Sequence, residues 1–521
     1  MRAAAVSLLA AAVLWGQPPA IRSGGVVNAA GRVPSVLPGG AIARGALFEI
    51  AGVCLGTSAQ TTAVTVSARG AGVRVPLLAV SPQRIEGRMP EGAPLGDVSL
   101  AVTVNGMASP PYRLQVVRTN FGIYSRNQAG WGPGRVESQA ADGSRSDNNL
   151  RDSVQPGQSL VLYGTGLGES HPEVWVGFRR AAVEAVRRGA AGKPDEIAIR
   201  IPPDTPDGCY VPLQVRGPGA AASNTVTVSV HAGGGPCLPP PILPVAVWRG
   251  RTAGLVVLSR TVSKPDSTTD DGAAVFVSHG GQEPVLSPIL LVPPLGTCAT
   301  YTAAMASGPQ PAPSVAGGLM SSAEVSGLNA GPRISVARNR LRVPISPLAG
   351  APGVYKRLLG EKRTDRPARN GPLFFEPGNL VVSGPGGVDI GPFAVSLPPP
   401  EPLFWENLDS LYAVDRRAGV TFRWRPAAAE GAVLIGLVSV DQMGLAWGAC
   451  YCAADGAAGS FTLPSAVLSS LPASQAAPGV PAPTVWLSYL PFRNQQPFDA
   501  RGLDHGLAVS LFVETREVVV R

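Results

Sequence analysis

Two stretches of this chain match at a constant distance. In ARGALFEIAGVCLG (Ala43 to Gly56) and QPGQSLVLYGTGLG (Gln155 to Gly168), Gly45, Gly52, Leu55 and Gly56 fall on Gly157, Gly164, Leu167 and Gly168, each 112 positions on. Ile85, Arg88, Pro90, Pro94 and Gly96 recur at the same distance as Ile197, Arg200, Pro202, Pro206 and Gly208. A spacing held over so long a stretch is hard to obtain by chance, so the chain contains an internal duplication. One strand breaks the pattern. Val211, Leu213 and Val215 match their earlier counterparts, which include Val102 and Val104, at an offset near 111, as if one residue were lost beside Cys209. Val226 and Val228 then return to 112, on Leu114 and Val116. A one-residue slip inverts the faces of a strand, so a compensating shift at a turn is expected.

The repeated unit reads as a β-sandwich. Phe48 and Ile50 alternate with Leu47 and Glu49, and Val98, Leu100, Val102 and Val104 alternate with small or polar residues. Alternation of period two is the pattern of a half-buried strand. Asn105-Gly106 is a hairpin signal. The whole chain holds 63 glycines and 53 prolines, with apolar runs between them throughout. Many short strands joined by Gly/Pro turns follow, and the expected class is all-β, tandem Ig-like β-sandwich modules followed by further β-rich domains. The first module is expected at 21–118, a connector hairpin and loop at 119–151 that completes the first sandwich or bridges the two, and the second module at 152–231. A stiff Pro-rich linker follows at 232–244. A β-rich domain is expected at 245–397 and a C-terminal sandwich-like domain at 398–521, divided by the run LPPPEPL.

The opening segment, 1–20, reads as an export signal. Arg2 precedes an apolar core from Ala3 to Trp15, and small or polar residues follow. That core is too short to span a bilayer of about 30 Å. No cysteine follows it closely, which argues against a lipid anchor. No later apolar run is long enough to cross a bilayer as a helix. After signal removal no membrane span is expected, and the place of the chain is secreted, cell-surface or periplasmic.

Six cysteines suit an oxidising compartment. Cys209 and Cys237 stand 28 apart in one module and are the best pair. Cys450 and Cys452 share a face if they lie on a strand, which poorly suits bonding to each other; one of them can reach Cys298. Cys54 is expected as a buried free thiol.

Several segments resemble, in order, a paralogous domain of secreted acidobacterial proteins related to the Ig-like fold of the IPT/TIG type. They are VVNAAGRVPSVLPGG, LFEIAGVCLG, RMPEG, NFGIY and VQPGQSLVLYGTGLG, within 21–231. In the C-terminal half, LNAGPRISV, EPGNLVVSGPGGVDIGPF, RRAGVTFRWRP, GSFTLPSAVLSSLP and ARGLDHG also resemble such exported proteins. The resemblance implies extracellular Ig-like modules and brings no catalytic residues with it. The sequence departs from the commoner form where RIEG and AGVCLG stand.

No motif assigns a reaction. GTGLG, Gly164 to Gly168, is followed by Glu169-Ser170-His171-Pro172, which does not suit a helix over a phosphate cradle. Gly52, Gly56, Gly164 and Gly168 are read as structural turn glycines. DSTTDDG (Asp266 to Gly272) has three carboxylates, but not at the spacing of a calcium loop. His171, His231, His279 and His505 lie without a nucleophile elbow or a zinc motif. No cofactor, metal or catalytic residue is assigned. The net charge of +8 is spread thinly, with patches at Arg179-Arg180, Arg187-Arg188 and Glu361 to Arg369, and no nucleic-acid signature accompanies it. The expectation is a non-enzymatic surface or extracellular protein with a binding, adhesion or structural role, its partners polysaccharides or other surface proteins. A carbohydrate-binding array using exposed tryptophans is the alternative, and an enzyme with its site in 245–397 the third.

Overall fold

The computed structural model describes residues 17–169, 171–190, 192–217, 221–244, 250–264, 267–279, 290–305, 325–363, 371–425 and 430–521. The expected export signal (except its last residues), Trp248, Asp266 and most of the basic run 361–369 lie outside them. The chain is all-β. The described α-helix, Ser465–Leu468, is a single short turn, within the stretch PSAVLSSLP.

The first sandwich closes two sheets over one core. One sheet runs Ala20–Asn28, Leu47–Val53, Arg84–Arg88, Leu77–Ser81; the other runs Ile42–Ala43, Tyr112–Val117, Gly96–Val104, Thr62–Ala68, Ala71–Arg74. Val98, Leu100, Val102 and Val104 point inward at every second position and pack with Phe48, Ile50 and Ile85. Each such side chain contributes about 1.5–3 kcal/mol when fully buried.

The second sandwich repeats this frame except that Arg179–Arg187 pairs with both Glu173–Val176 and Asp195–Arg200, which links its strands into one nine-stranded sheet. Leu47–Val53 and Ser159–Thr165 are the same strand in the two copies, as are Gly96–Val104 and Gly208–Arg216, both at the offset read from the sequence. Ile50 lies opposite Ile85, and Leu162 opposite Ile197. The segment 119–151 neither completes the first sandwich nor merely joins the two: its strands belong to the second. Ala20–Asn28 pairs with Leu47–Val53 in two halves, Ile21 opposite Gly52 and Val26 opposite Ile50. In the second sandwich those halves are separate strands, Gly122–Ile123 and Val136–Gln139, with Ile123 opposite Gly164 and Val136 opposite Leu162. A short irregularity in one copy has become a long loop in the other, so the sequence there no longer aligns.

At the slip beside Cys209 the strand carries a β-bulge, an extra residue relative to its neighbour, which is the opposite sense to the loss read from the sequence. Gly208 lies opposite Val230 and Val211 opposite Val228, so three steps on one strand face two on its partner. Beyond it Val176 faces Leu213, where Val64 faces Val102 in the first copy. The last strand does not keep its register despite its matching sequence. Leu114 faces Val98, but Val226 faces Leu213.

The rest of the chain is organised by one ten-stranded sheet. Its path runs Thr297–Ala304, Ala446–Asp455, Gly431–Val440, Thr484–Pro491, His505–Glu517, Thr252–Lys264, Ser267–His279, Val325–Gly327, with Val354–Arg363 and Gln495–Pro497 pairing beside it. Thr252–Lys264 and His505–Glu517 run parallel, from Ala253 opposite His505 to Lys264 opposite Arg516. The expected boundary at 397/398 therefore divides strands of a single sheet. The Pro-rich run marks a crossing of the chain; it does not separate two cores. Gly431–Val440 is buried at all ten positions, because both faces of the sheet are covered. On one face a four-stranded sheet brings Val336, Val382 and Phe393 against Val256, Phe276 and Ala508. Beside it a three-stranded sheet brings Trp405, Phe422 and Trp424 against Ile435, Cys450 and Leu487. The opposite face, with Leu255, Val257, Tyr301 and Tyr451, shares its core with Tyr210 of the second sandwich and with Cys237, Ile242 and Leu243 of the segment expected as a Pro-rich linker.

Candidate functional site

The joint between the second sandwich and the long sheet is the most elaborate polar and aromatic arrangement described. Thr297–Ala304 is the end strand of the sheet, and the sandwich meets it on both faces. On one face the Trp131 ring stands edge-on to Tyr301, with centroids 5.8 Å apart and planes at 83°. Tyr301 meets Tyr451 at 5.6 Å, and Tyr451 meets Trp486 at 5.8 Å, so four rings cross the sheet in a row. The hydroxyls of Tyr301 and Tyr451 are buried without a hydrogen-bond partner among the described residues. Burial pushes both far above the usual phenol range. On the other face Thr225 Oγ1 and Thr300 Oγ1 share a hydrogen bond of 2.5 Å. A crevice of about 20 Å³ beside it is lined by Trp175, Gln214, Arg216, Cys298 and Thr300 among others. That is room for one water molecule. The Arg216 guanidinium lies 5.0 Å from the Trp175 ring centre and donates to Gln214 Oε1. Burial lowers its pKa below the ordinary arginine value.

The two sandwiches are fastened by buried amide side chains. Asn28 Nδ2 donates to the Thr165 carbonyl (3.1 Å), and Thr165 Oγ1 accepts from Leu47 N (2.8 Å). Asn120 Nδ2 donates to the Gly39 carbonyl at 2.6 Å. Within the second sandwich, Asn224 Oδ1 accepts from Ile123 N at 2.8 Å. Near this junction Tyr124 is pushed up to about 12 by burial first, then by Glu86 and Glu49. Glu49 is itself paired with Arg32 and Arg84.

Two disulfides flank the joint. Cys209 is bonded to Cys237, with Cα atoms 5.1 Å apart, and Cys298 to Cys452, with Cα atoms 4.0 Å apart. Cys298 and Cys452 lie directly opposite each other on paired strands. The bulge sets Cys209 and Tyr210 into the core shared with the sheet. Cys450 stays a free, buried thiol, its pKa pushed up to about 12 by burial. Cys54 is free but only half-buried, so the expectation of a buried thiol fails there; it sits at φ 56° at the end of its strand.

The glycines divide into two kinds. Gly56 and Gly168 are turn residues with φ of 94° and 57°, a region that favours glycine. Gly52 and Gly164 are strand residues, which corrects the reading of all four as turn glycines. A Cβ on Gly52 would stand 2.2 Å from the Ala20 carbonyl oxygen, and one on Gly164 would stand 2.3 Å from that of Gly122. The GTGLG turn offers no free anion cradle, because Leu167 N already donates to Asp195 Oδ2 at 3.0 Å.

The charged and histidine side chains elsewhere, including the acids at 401–409, are dispersed or engaged. Asp270 is fully buried on a strand, and its oxygens accept from Arg260, Phe374 N and Phe375 N. They are not free to hold a cation. Asp271 is raised above the usual carboxylate value, chiefly by burial. Glu401, Glu406 and Asp409 pair with three different arginines, Arg493, Arg425 and Arg516. Arg179 and Arg180 pair with Asp204 and Glu173. His231 Nδ1 lies 2.9 Å from the Gly234 carbonyl oxygen. Among the described residues no group of three His, Cys, Asp or Glu is placed to hold a metal ion, and no helix is long and apolar enough to cross a membrane.

None of the described tryptophans is exposed. Trp405 and Trp424 are core, and Trp131, Trp175, Trp447 and Trp486 are half-buried. The most exposed rings among the described residues are Phe404 at 58% and Tyr412 at 65%, with Phe492 less so, and none of the three stands out in the sequence. The flanks of the first two, Leu403, Trp405, Leu408 and Leu411, are all buried. The signal available in the sequence was an aromatic on the polar side of a half-buried run.

No protein-family model matches the chain, and no curated protein does. Among solved structures, it is similar to a surface glycan-binding protein of a Bacteroides ovatus mixed-linkage glucan locus, solved with a heptasaccharide. The identity is 14%, over 36% of this chain and 45% of that one, with a TM-score of 0.21. It is also similar to a tetra-tandem repeat from the extending region of a large adhesion protein, 10% identical over 95% and 98%, TM-score 0.13. A third is domains 5–6 of the S-layer protein SbsC, 12% identical over 41% and 98%, TM-score 0.18. The chain spans less than half the length of the first. Likenesses of this size assign no function.

Proposed function

We propose that this is an extracellular or cell-surface protein whose stiff, interlocked β-modules bind or hold other surface components without catalysis. The reading of 21–231 as IPT/TIG-type modules of a secreted protein belongs to the same proposal. The observation that carries it is the joint. The second sandwich meets the end strand of the long sheet on both faces, through Trp131–Tyr301 and Thr225–Thr300. It shares a buried core with that sheet and is fastened to the first sandwich by Asn28 and Asn120. Such a body holds its outer faces at fixed spacings, which suits display and contact. The two disulfides fit an oxidising compartment.

The test is protease treatment of intact cells of the source organism, with detection of the chain by antibody. Loss of the full-length chain from intact cells, or its recovery from the medium, supports the proposal. A chain protected in the cytoplasmic fraction overturns it. Turnover of a polysaccharide or peptide by the pure protein, abolished by one point substitution, would overturn the non-catalytic part.

A further inference from the structure

The segment 403–414 starts at Phe404–Trp405, a strand of the three-stranded sheet, and ends at Ala413–Val414, which pairs with Val519–Val520. It sends Leu403, Trp405, Leu408, Leu411 and Val414 into the core and leaves Phe404 and Tyr412 outside. The two exposed rings are built alike. Phe404 carries the Arg425 guanidinium 4.6 Å from its ring centre, and Arg425 Nε is held by Glu406 at 2.9 Å. Tyr412 carries the Arg516 guanidinium at 4.3 Å, and Arg516 is held by Asp409 at 3.5 Å and by the Leu408 carbonyl at 2.7 Å. In each case the arginine covers one face of the ring and fixes its orientation. The other side remains accessible, since the residues are 58% and 65% exposed. The short length of chain between the rings keeps them within about 29 Å of each other.

We propose that this outer face binds an extended, neutral carbohydrate chain, with Phe404 and Tyr412 as two stacking platforms. The chemistry selects that class. At each ring the guanidinium is matched by a carboxylate, Arg425 by Glu406 and Arg516 by Asp409, so neither platform offers an unmatched cation to a polyanion. The residues between the rings include Asn407, Asp409 and Ser410, and they interrupt any continuous apolar patch of the kind a protein interface core needs. A sugar ring offers what remains complementary: an apolar C–H face for the aromatic ring, and hydroxyls for the flanking carboxylates. Two platforms within one segment suit a polymer longer than a single sugar. This inference rests on the surface-protein reading above and narrows its ligand.

The experiment is affinity electrophoresis of the full chain in gels containing a soluble β-glucan, a galactomannan or a dextran, with alginate as a polyanionic arm. Retardation by at least one neutral polymer is expected. Phe404→Ala and Tyr412→Ala should each weaken it about five-fold or more, and the double variant should abolish it. Tyr412→Phe should retain it, because the ring and not the hydroxyl makes the contact. Both side chains are exposed, and an unchanged Tm confirms that each variant folds. No retardation by any neutral polymer overturns the inference, as does retardation that survives the double variant, or retardation by alginate alone. Such a failure leaves the surface location, tested by protease treatment, standing on its own result.

Discussion

Thr225 and Thr300, distant in the chain, share a 2.5 Å hydrogen bond at the joint between the second sandwich and the ten-stranded sheet. Both are buried. Thr225→Val leaves the Thr300 hydroxyl buried and unpaired, at a cost of about 1–3 kcal/mol. Replacing both by valine removes the orphan with the shape kept, so the double variant should regain most of that loss. Chemical denaturation midpoints of the two singles and the double decide it. Additive losses would show that the pair does not act as a unit.

On the opposite face Trp131 packs edge-on against Tyr301. Trp131→Ala should lower stability by about 2–4 kcal/mol, since the ring is only half-buried. It should also expose the joint to limited proteolysis. Tyr301→Phe should behave oppositely. Its hydroxyl has no partner among the described residues, so its removal should be neutral or stabilising. A loss above about 1 kcal/mol would reveal a partner.

Asp270 ties Arg260 to the amides of Phe374 and Phe375. Asp270→Ala strands the guanidinium and frees two buried amides. A loss of about 3–5 kcal/mol is expected, together with early proteolytic cutting in 371–377. Thermal unfolding and peptide mapping check both effects.

The two free thiols should differ in reactivity. Only a thiolate alkylates readily, and Cys450 is both sealed in the core and pushed up to about 12. Native protein treated with iodoacetamide at mildly alkaline pH should be modified at Cys54 alone, with Cys450 labelled only after denaturation. Mass spectrometry of the peptides reads the result. Labelling of Cys237 or Cys298 without reductant would contradict the disulfides.

Asp504 accepts hydrogen bonds from Arg251 N and Thr252 N, fastening the start of one parallel strand to the approach of the other. Those amides hold its carboxyl below the usual carboxylate value. A lowered folded-state pKa stabilises the fold above the unfolded value of about 3.9, and the effect is lost as pH falls through the folded value. The Tm gap between wild type and Asp504→Asn should therefore be full near neutral pH and shrink below about pH 4. A gap that persists unchanged into strong acid would mean that the carboxylate charge plays no part.

Much of the fold was legible because it is local. Alternation in Gly96–Val104 specified its buried face, and the constant repeat spacing located the second copy of each long strand. The change of offset beside Cys209 located an irregularity but not its form: the sequence suggested a lost residue, and pairing with Val226–Val230 shows an extra one at Gly208 to Val211. Spacing also ranked Cys209 with Cys237 and left Cys298 a partner at Cys450 or Cys452. The pairing with Cys452 depended on which residue lies opposite Cys298, and that is set by register.

What the amino-acid sequence determined by itself was therefore the class of structure and the repeat, because period-two burial and turn chemistry act over a few positions. Tertiary structure alone decided how the units combine. Ala253 meets His505 from the far end of the chain, and a parallel pairing so distant leaves no local trace. Gly52 and Gly164 look like turn glycines until the neighbouring strand is present; the carbonyls of Ala20 and Gly122 then leave no room for a Cβ. Phe404 and Tyr412 are ordinary aromatics in the sequence. Their neighbours turn inward onto the long sheet, and that packing leaves the two rings outside.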